Sequence, residues 1–390
     1  MRVAVVAGPD PGHAFPAIAL ALRFVANGDS PTVVTGTQWL GTAEEAGVPA
    51  MELLGLDVTE GDDDADAGAK INRRAARMAV LNAPQLEQLA PDLVVSDVIT
   101  VAGAFAAELI GLPWVELNPQ TLYRPSIGLP PIGSGLAPGT GVRGRIRDAV
   151  LRAMSARSWR EGQRQRAAAR AEIGLSTADP GPIRRLIATL PALEVPRPDW
   201  PSEAVIVGPL HFEPTSSTLQ IPSGSGPVVV VAPSTAKTGT RGLAELALDT
   251  LTPGEVLPEG SRVVVSRLDG PDGPLPPWAA VGLGRQDELL SHADVVICGG
   301  GHGIVSKTLL AGVPLVVVPG GGDQWEISNR VVRQGSAQLV RPLTADALTG
   351  AVREVLSSPH YREAARRAGA SLAGVDDPVR VCHEAVAAPA

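Results

Sequence analysis

The chain is 390 residues long, carries a net charge of −8, and is 44% hydrophobic but only 3% aromatic. Its core must therefore be built from Ala, Val, Leu and Ile in layers of helix and sheet, and its length predicts two domains, each with its own core. The acidic balance argues against a nucleic-acid partner, which would need a basic excess to neutralise phosphates. Cys298 and Cys382 are the only cysteines and stand far apart, so neither a disulfide framework nor a zinc site is suggested, and a reducing cytoplasm fits. No apolar run approaches the roughly 18 residues of a membrane span.

In chain order, the strand from Arg2 to Gly8 runs into Gly8-Pro-Asp-Pro-Gly-His13, and the spacing of Ile18, Leu20, Leu22, Phe24 and Val25 predicts a helix over Phe15–Asn27 that Gly28 stops. A second strand follows at Thr32–Thr35. The acidic run around Asp62-Asp63-Asp64-Ala-Asp66 reads as a solvated loop, and a basic helix-like segment follows over Lys70–Leu89. The acidic run superficially resembles a metal-binding Asp-x-Asp motif, but it is not at a strand end, and no metal site is expected. Next come the strand Pro91–Asp97, a helix to Leu109, Gly111-Leu-Pro113, and the strand Trp114–Pro119.

From Arg143 to Arg170 nine arginines face only two acids, with Ile146, Val150, Met154 and Arg157 at helical spacing. This stretch reads either as an amphipathic helix with a solvated basic face or as a surface for an anionic acceptor or a peripheral membrane contact. The proline-rich Pro191–Pro201 and the Ser/Thr/Pro/Gly-rich 213–226 mark the change of domain. The predicted organisation is a first Rossmann-like domain over 1–205, a linker over 206–226, a second over 227–375, and a C-terminal helix or tail over 376–390.

The second domain opens with the strand Pro227–Ala232 and the loop Pro233–Gly239; a helix from Leu243 and strands at Arg262–Ser266 and near Val281 follow. Then comes a distinctive unit: the strand from Asp294, Gly299-Gly300-Gly301-His302-Gly303, a helix closed by Gly312-Val-Pro314, and an aliphatic strand ending in glycines before Asp323-Gln324. Its layout repeats that of Asp92–Pro119: Asp92 to Pro113 spans 21 residues and Asp294 to Pro314 spans 20. Glycines at a strand-to-helix passage leave backbone N–H groups and a helix N-terminus facing a ligand, and the ligand suited to them is a phosphate. The C-terminal helices are placed at about 344–388.

Gly12-His13-x-Phe15-Pro16, Gly300-Gly301-His302-Gly303, Gly312-Val-Pro314 and Asp323-Gln324, in this order, resemble the GT-B nucleotide-sugar-dependent glycosyltransferases, most of all the bacterial enzymes that glycosylate antibiotics, lipids and other small molecules. The resemblance implies an α/β fold of two Rossmann-like domains facing across a cleft, with the acceptor on the first and a UDP- or dTDP-sugar on the second. It also implies an inverting hexosyl transfer to a hydroxyl, with no metal and no cofactor beyond the nucleotide sugar as co-substrate. By this resemblance His13 is the base that takes the acceptor proton, a task for which imidazole titrates in the right range; the other reading is a structural or capping histidine. Asp97, at the end of its strand, is placed to orient that imidazole.

On the donor side, Ser234, Thr235 and the backbone of Gly300, Gly301, His302 and Gly303 are expected at the phosphates, Asp323 and Gln324 at the sugar hydroxyls, and Gln286 at the nucleobase. Two positions depart from the pattern. Gly299 stands where the family has a phosphate-donating His, and Lys307 where it has a ribose-gripping Glu. Lys237 and Lys307, two of only three lysines, are read as replacement point charges on the pyrophosphate. The alternatives at this stage are a peripheral-membrane lipid-linked sugar transferase, a non-catalytic nucleotide-sugar binder, and a sugar-nucleotide epimerase on the same fold.

Overall fold

The computed structural model describes residues 1–57, 66–235, 239–271 and 273–388. The first half contains β1 (Arg2–Val6), α1 (Pro11–Ala26), β2 (Ser30–Thr35), α2 (Leu40–Glu45), β3 (Ala50–Glu52), α3 (Ala67–Leu89), β4 (Leu93–Asp97), α4 (Ala102–Leu109), β5 (Trp114–Asn118), α5 (Gly141–Glu172), β6 (Arg184–Ile187) and β7 (Ala204–Ile206). The second contains β8 (Val228–Ala232), α6 (Leu243–Thr250), β9 (Arg262–Ser266), β10 (Ala279–Gly282), α7 (Gln286–His292), β11 (Val295–Cys298), α8 (His302–Leu310), β12 (Leu315–Val317), α9 (Asp323–Arg333), β13 (Ala337–Leu339), α10 (Ala345–Ser357), α11 (Pro359–Ala370) and α12 (Pro378–Ala387).

The strands form two parallel sheets, ordered β3-β2-β1-β4-β5-β6-β7 and β10-β9-β8-β11-β12-β13. Successive residues of a strand point to opposite faces, and parallel sheets are covered on both, so the strands read as unbroken apolar runs. In β8 all five residues of Val-Val-Val-Val-Ala are buried. Val228 and Val230 face the core shared with α8, α9 and α11, and Val229 and Val231 that shared with α6 and α10. In the first sheet Val3, Val5, Leu93 and Val95 pack with α1, while Ala4, Val6 and Val94 pack beneath α3 and α4.

The internal repeat appears as matching hydrogen bonds. Asp92 accepts the Arg2 N–H at 2.7 Å, and Asp294 accepts that of Val228 at 3.0 Å. Each aspartate thus ties the start of the strand leading its own βαβ unit to the first strand of its sheet. In both sheets the strand order reverses between the first strand and this neighbour, the place where an open α/β sheet leaves a crevice beyond its strand ends.

Two elements cross between the halves. Val379, Val381 and Cys382 of α12 lie in the first core, and Leu190 and Leu193, just beyond β6, lie in the second. Among the described residues no helix is long and apolar enough to cross a membrane.

Candidate active site

β1 and β4 end side by side, and the next residues of each chain segment meet there. α1 begins at Pro11, four residues before the sequence-predicted start, because a proline suits the first helical position, where its missing N–H costs nothing. His13 therefore sits in the first turn of α1. Its Nδ1 is 2.7 Å from Asp97 Oδ1. The other Asp97 oxygen accepts the Ile99 and Thr100 N–H groups at 3.1 and 2.9 Å, which fixes the carboxylate.

Burial draws the His13 pKa down, but Asp97, by charge and hydrogen bond, and then Asp10 and Asp323 outweigh it, so the pKa lies above the usual imidazole value. His13 and Asp97, expected together from the sequence, are together.

In the second half the glycine-rich turn leads into α8. Gly300 adopts φ +77°, and a Cβ there would lie 2.1 Å from Ser328 Oγ, so only glycine fits. A Cβ on Gly299 would lie 2.8 Å from Ser234 Cβ, which leaves no room for the histidine expected by resemblance. The two loops here approach backbone to backbone. Gly301 is the N-cap of α8 with no side chain capping it, so the first N–H groups of the helix, at His302 and Gly303, lack intrahelical partners.

Gln324 is buried, donating to Ser234 Oγ at 2.7 Å and accepting from the Gly320 N–H at 3.2 Å, while Asp323 beside it is exposed. Thr235 is exposed next to Ser234; Lys237, together with Asp62, Asp63 and Asp64 of the acidic run, lies outside the described residues. Asp66 caps α3, accepting the Ala69 N–H at 3.0 Å.

The His302 side chain turns away from the phosphate turn and into the first half. Its Nε2 meets Thr189 Oγ1 at 2.8 Å and the ring also hydrogen-bonds the Pro119 backbone, while burial pushes its pKa down to about 4, so it is neutral. Lys307 Nζ contacts Glu213 Oε1 at 2.6 Å and Gln286 Oε1 at 3.1 Å, and the Gln286 N–H donates to Glu213 Oε2 at 3.0 Å. The lysine charge is thus matched by a carboxylate of the connecting segment. Sequence reasoning missed Glu213; the unusual lysine signals that a compensating acid must exist but not where it lies.

It also missed the contacts made by the loop after β5. Glu326 Oε2 accepts the Gly133 and Gly135 N–H groups at 3.2 and 2.9 Å, and Trp325 Nε1 donates to the Ser134 carbonyl at 3.0 Å. The loop therefore straps across to α9 beside Asp323. On α5, the face bearing Val142, Ile146, Val150 and Met154 is exposed. Among the described residues no group of His, Cys, Asp and Glu could hold a metal ion.

The family described as UDP-glucoronosyl and UDP-glucosyl transferase matches residues 280–387, the part containing the α8 turn and Asp323-Gln324. The 4'-demethylrebeccamycin synthase of Lentzea aerocolonigenes is 29% identical, with 94% of each chain covered. The solved glycotransferase of kitacinnamycin superposes with a TM-score of 0.73 at 23% identity, covering 98% of this chain and 97% of that one. A glycosyltransferase of Streptomyces sp. SF2575 complexed with thymidine diphosphate gives 0.66 at 21% identity, covering 98% and 99%. The paired parallel sheets and these likenesses give the chain the GT-B fold of two Rossmann-like domains, and its sequence resembles that of glycosyltransferases, among them bacterial enzymes acting on antibiotics and other small molecules.

Proposed function

We propose that the chain transfers a hexosyl group from a UDP- or dTDP-sugar to a hydroxyl of a small-molecule natural product, by inverting displacement and without a metal. The observation that carries the reading is the His13–Asp97 pair at 2.7 Å, with the charge of Asp323 acting on His13 and the α8 N-terminus left uncapped. With Nδ1 held by Asp97, Nε2 is left to take the acceptor proton as the oxygen bonds to the anomeric carbon. The bond from that carbon to the diphosphate oxygen breaks, and its electron pair leaves with the nucleotide. One base serving one displacement inverts the anomeric centre.

Charge growing on the leaving diphosphate is met by the His302 and Gly303 N–H groups and the α8 dipole, which supports a reaction without a metal. Asp323 is exposed and open to sugar hydroxyls, while Gln324 donates to Ser234 and the two hold each other in place. The synthase relative supports a natural-product acceptor, and the relative solved with thymidine diphosphate supports the donor class.

Incubation with UDP- and dTDP-sugars and an acceptor panel tests the reading. Expected are an inverted glycoside and a loss of about 10²–10⁴-fold in rate for His13→Ala. A product of retained configuration, or unchanged turnover in that variant, refutes it. One observation favours a second reading, an acceptor met at a membrane surface: the exposed apolar face of α5 lies beside exposed Arg143, Arg157 and Arg160. Co-sedimentation with anionic vesicles separates the two.

A further inference from the structure

A cavity of about 380 Å³ opens between strands β4–β6 of the first sheet and α5. Asp97, the residue whose carboxylate holds His13, is part of its wall, so the cavity adjoins the proposed base. Its volume lies in the range of small-ligand sites.

Three features of the wall describe a ligand. The first is aromatic content: in a chain with six tryptophans and two tyrosines, Trp114, Trp159 and Tyr123 all line this one space. The second is matched charge. Glu116 is paired with Arg185, Arg166 with Asp179, and Arg124 with Glu203, while Asp97 is engaged by His13. No charge in the wall is left for an ionic ligand, and burying an unmatched one there would be costly. The third is an unmet hydrogen bond. Asn118 is 1% exposed and lines the cavity, yet its Oδ1 has no partner among the described residues. A buried amide in that condition marks a place where a ligand group completes the bonding.

We propose that this cavity receives the acceptor, and that the acceptor is an uncharged aromatic molecule which presents a second hydroxyl or N–H to Asn118 while its reacting hydroxyl lies at His13. The inference rests on reading the cleft as a glycosyl-transfer site. Trp159 and Tyr123 flank the rings, and Asn118 sets how deep they enter. Sites that hydrogen-bond a ligand group reject analogues lacking it, because the buried polar partner is then left unpaired.

Calorimetric titration of the full chain with 2,6-dihydroxynaphthalene, 2-naphthol, 6-hydroxy-2-naphthoate and 2-decalol tests each element. The diol should bind about tenfold tighter than 2-naphthol, and the anionic and saturated compounds more weakly still. Asn118→Leu should erase the advantage of the diol and leave 2-naphthol within about twofold. Trp159→Ala should weaken both naphthols about tenfold; Trp159 is 44% exposed, so this variant keeps the test open if Asn118→Leu does not fold. The inference is overturned if the diol has no advantage, if Asn118→Leu retains it, if Trp159→Ala changes nothing, or if the naphthoate binds as well as the diol. A parallel transfer assay separates the two readings. The expected binding pattern without sugar transfer sinks the proposed reaction alone. His13-dependent transfer to acceptors whose affinity ignores both substitutions sinks the cavity assignment alone.

Discussion

At the scale of single residues, the site is organised by pairing. Asp97 raises the His13 pKa above the usual value, so the neutral imidazole that can take a proton disappears as pH falls through that raised value. The pair stabilises the fold fully below the unfolded-state pKa of about 6.5 and loses that effect as pH rises through the folded one. Activity and this share of stability therefore run in opposite directions with pH. In Asp97→Asn the acid limb of kcat/KM should shift to lower pH while the plateau drops about 10–100-fold; a pH–rate profile with an unmoved limb would show that the pair does not set the base. His13 and Asp97 were legible in the sequence because each follows an apolar strand at a breaker or a strand end. Glu213 and Asn118 were not: an ion pair across 94 residues and an amide on one face of a strand leave no local pattern.

At the scale of elements, the strands were the most legible feature, since a run such as Val228–Ala232 fits a doubly covered parallel strand. The boundary of α1 was misplaced because Pro11 reads as a breaker in sequence yet starts the helix in the fold. α3 ends in Ala90 at φ 45°, a left-handed conformation that costs a residue bearing a Cβ, and Pro91 follows. Replacing this exposed alanine with glycine should raise stability by about 0.5–1 kcal/mol in urea unfolding; a loss would mean that the added freedom of the unfolded chain outweighs the relieved strain. The repeat at Asp92 and Asp294 was visible as spacing alone; the structure adds what the aspartates do, which is to tie each βαβ unit to the first strand of its sheet.

At the scale of the whole molecule, the halves are joined by buried charge. Arg330 contacts Glu326 and Glu194, each at 3.0 Å, and donates to the Leu193 carbonyl at 3.1 Å, with all three charged side chains almost fully covered. Arg330→Leu would leave Glu326 buried without its cation and Glu194 with only Arg197, at 3.4 Å, and should cost about 3–5 kcal/mol, read as a lower urea midpoint; a shift below about 1 kcal/mol would show that water reaches the cluster. The contacts of Arg330 with Glu194 and Leu193 were not legible beforehand, because these partners lie on the other side of the composition change taken as a linker. The traffic of α12 into the first core and of Leu190 and Leu193 into the second bears on recombination between related enzymes. A graft of residues 227–375 alone would bring a new core into contact with foreign leucines, and a graft running to residue 390 would carry a helix the first sheet does not recognise. Chimeras that move 190–193 with the second core and leave 376–390 with the first should express as folded protein, and those joined only at residue 226 should aggregate.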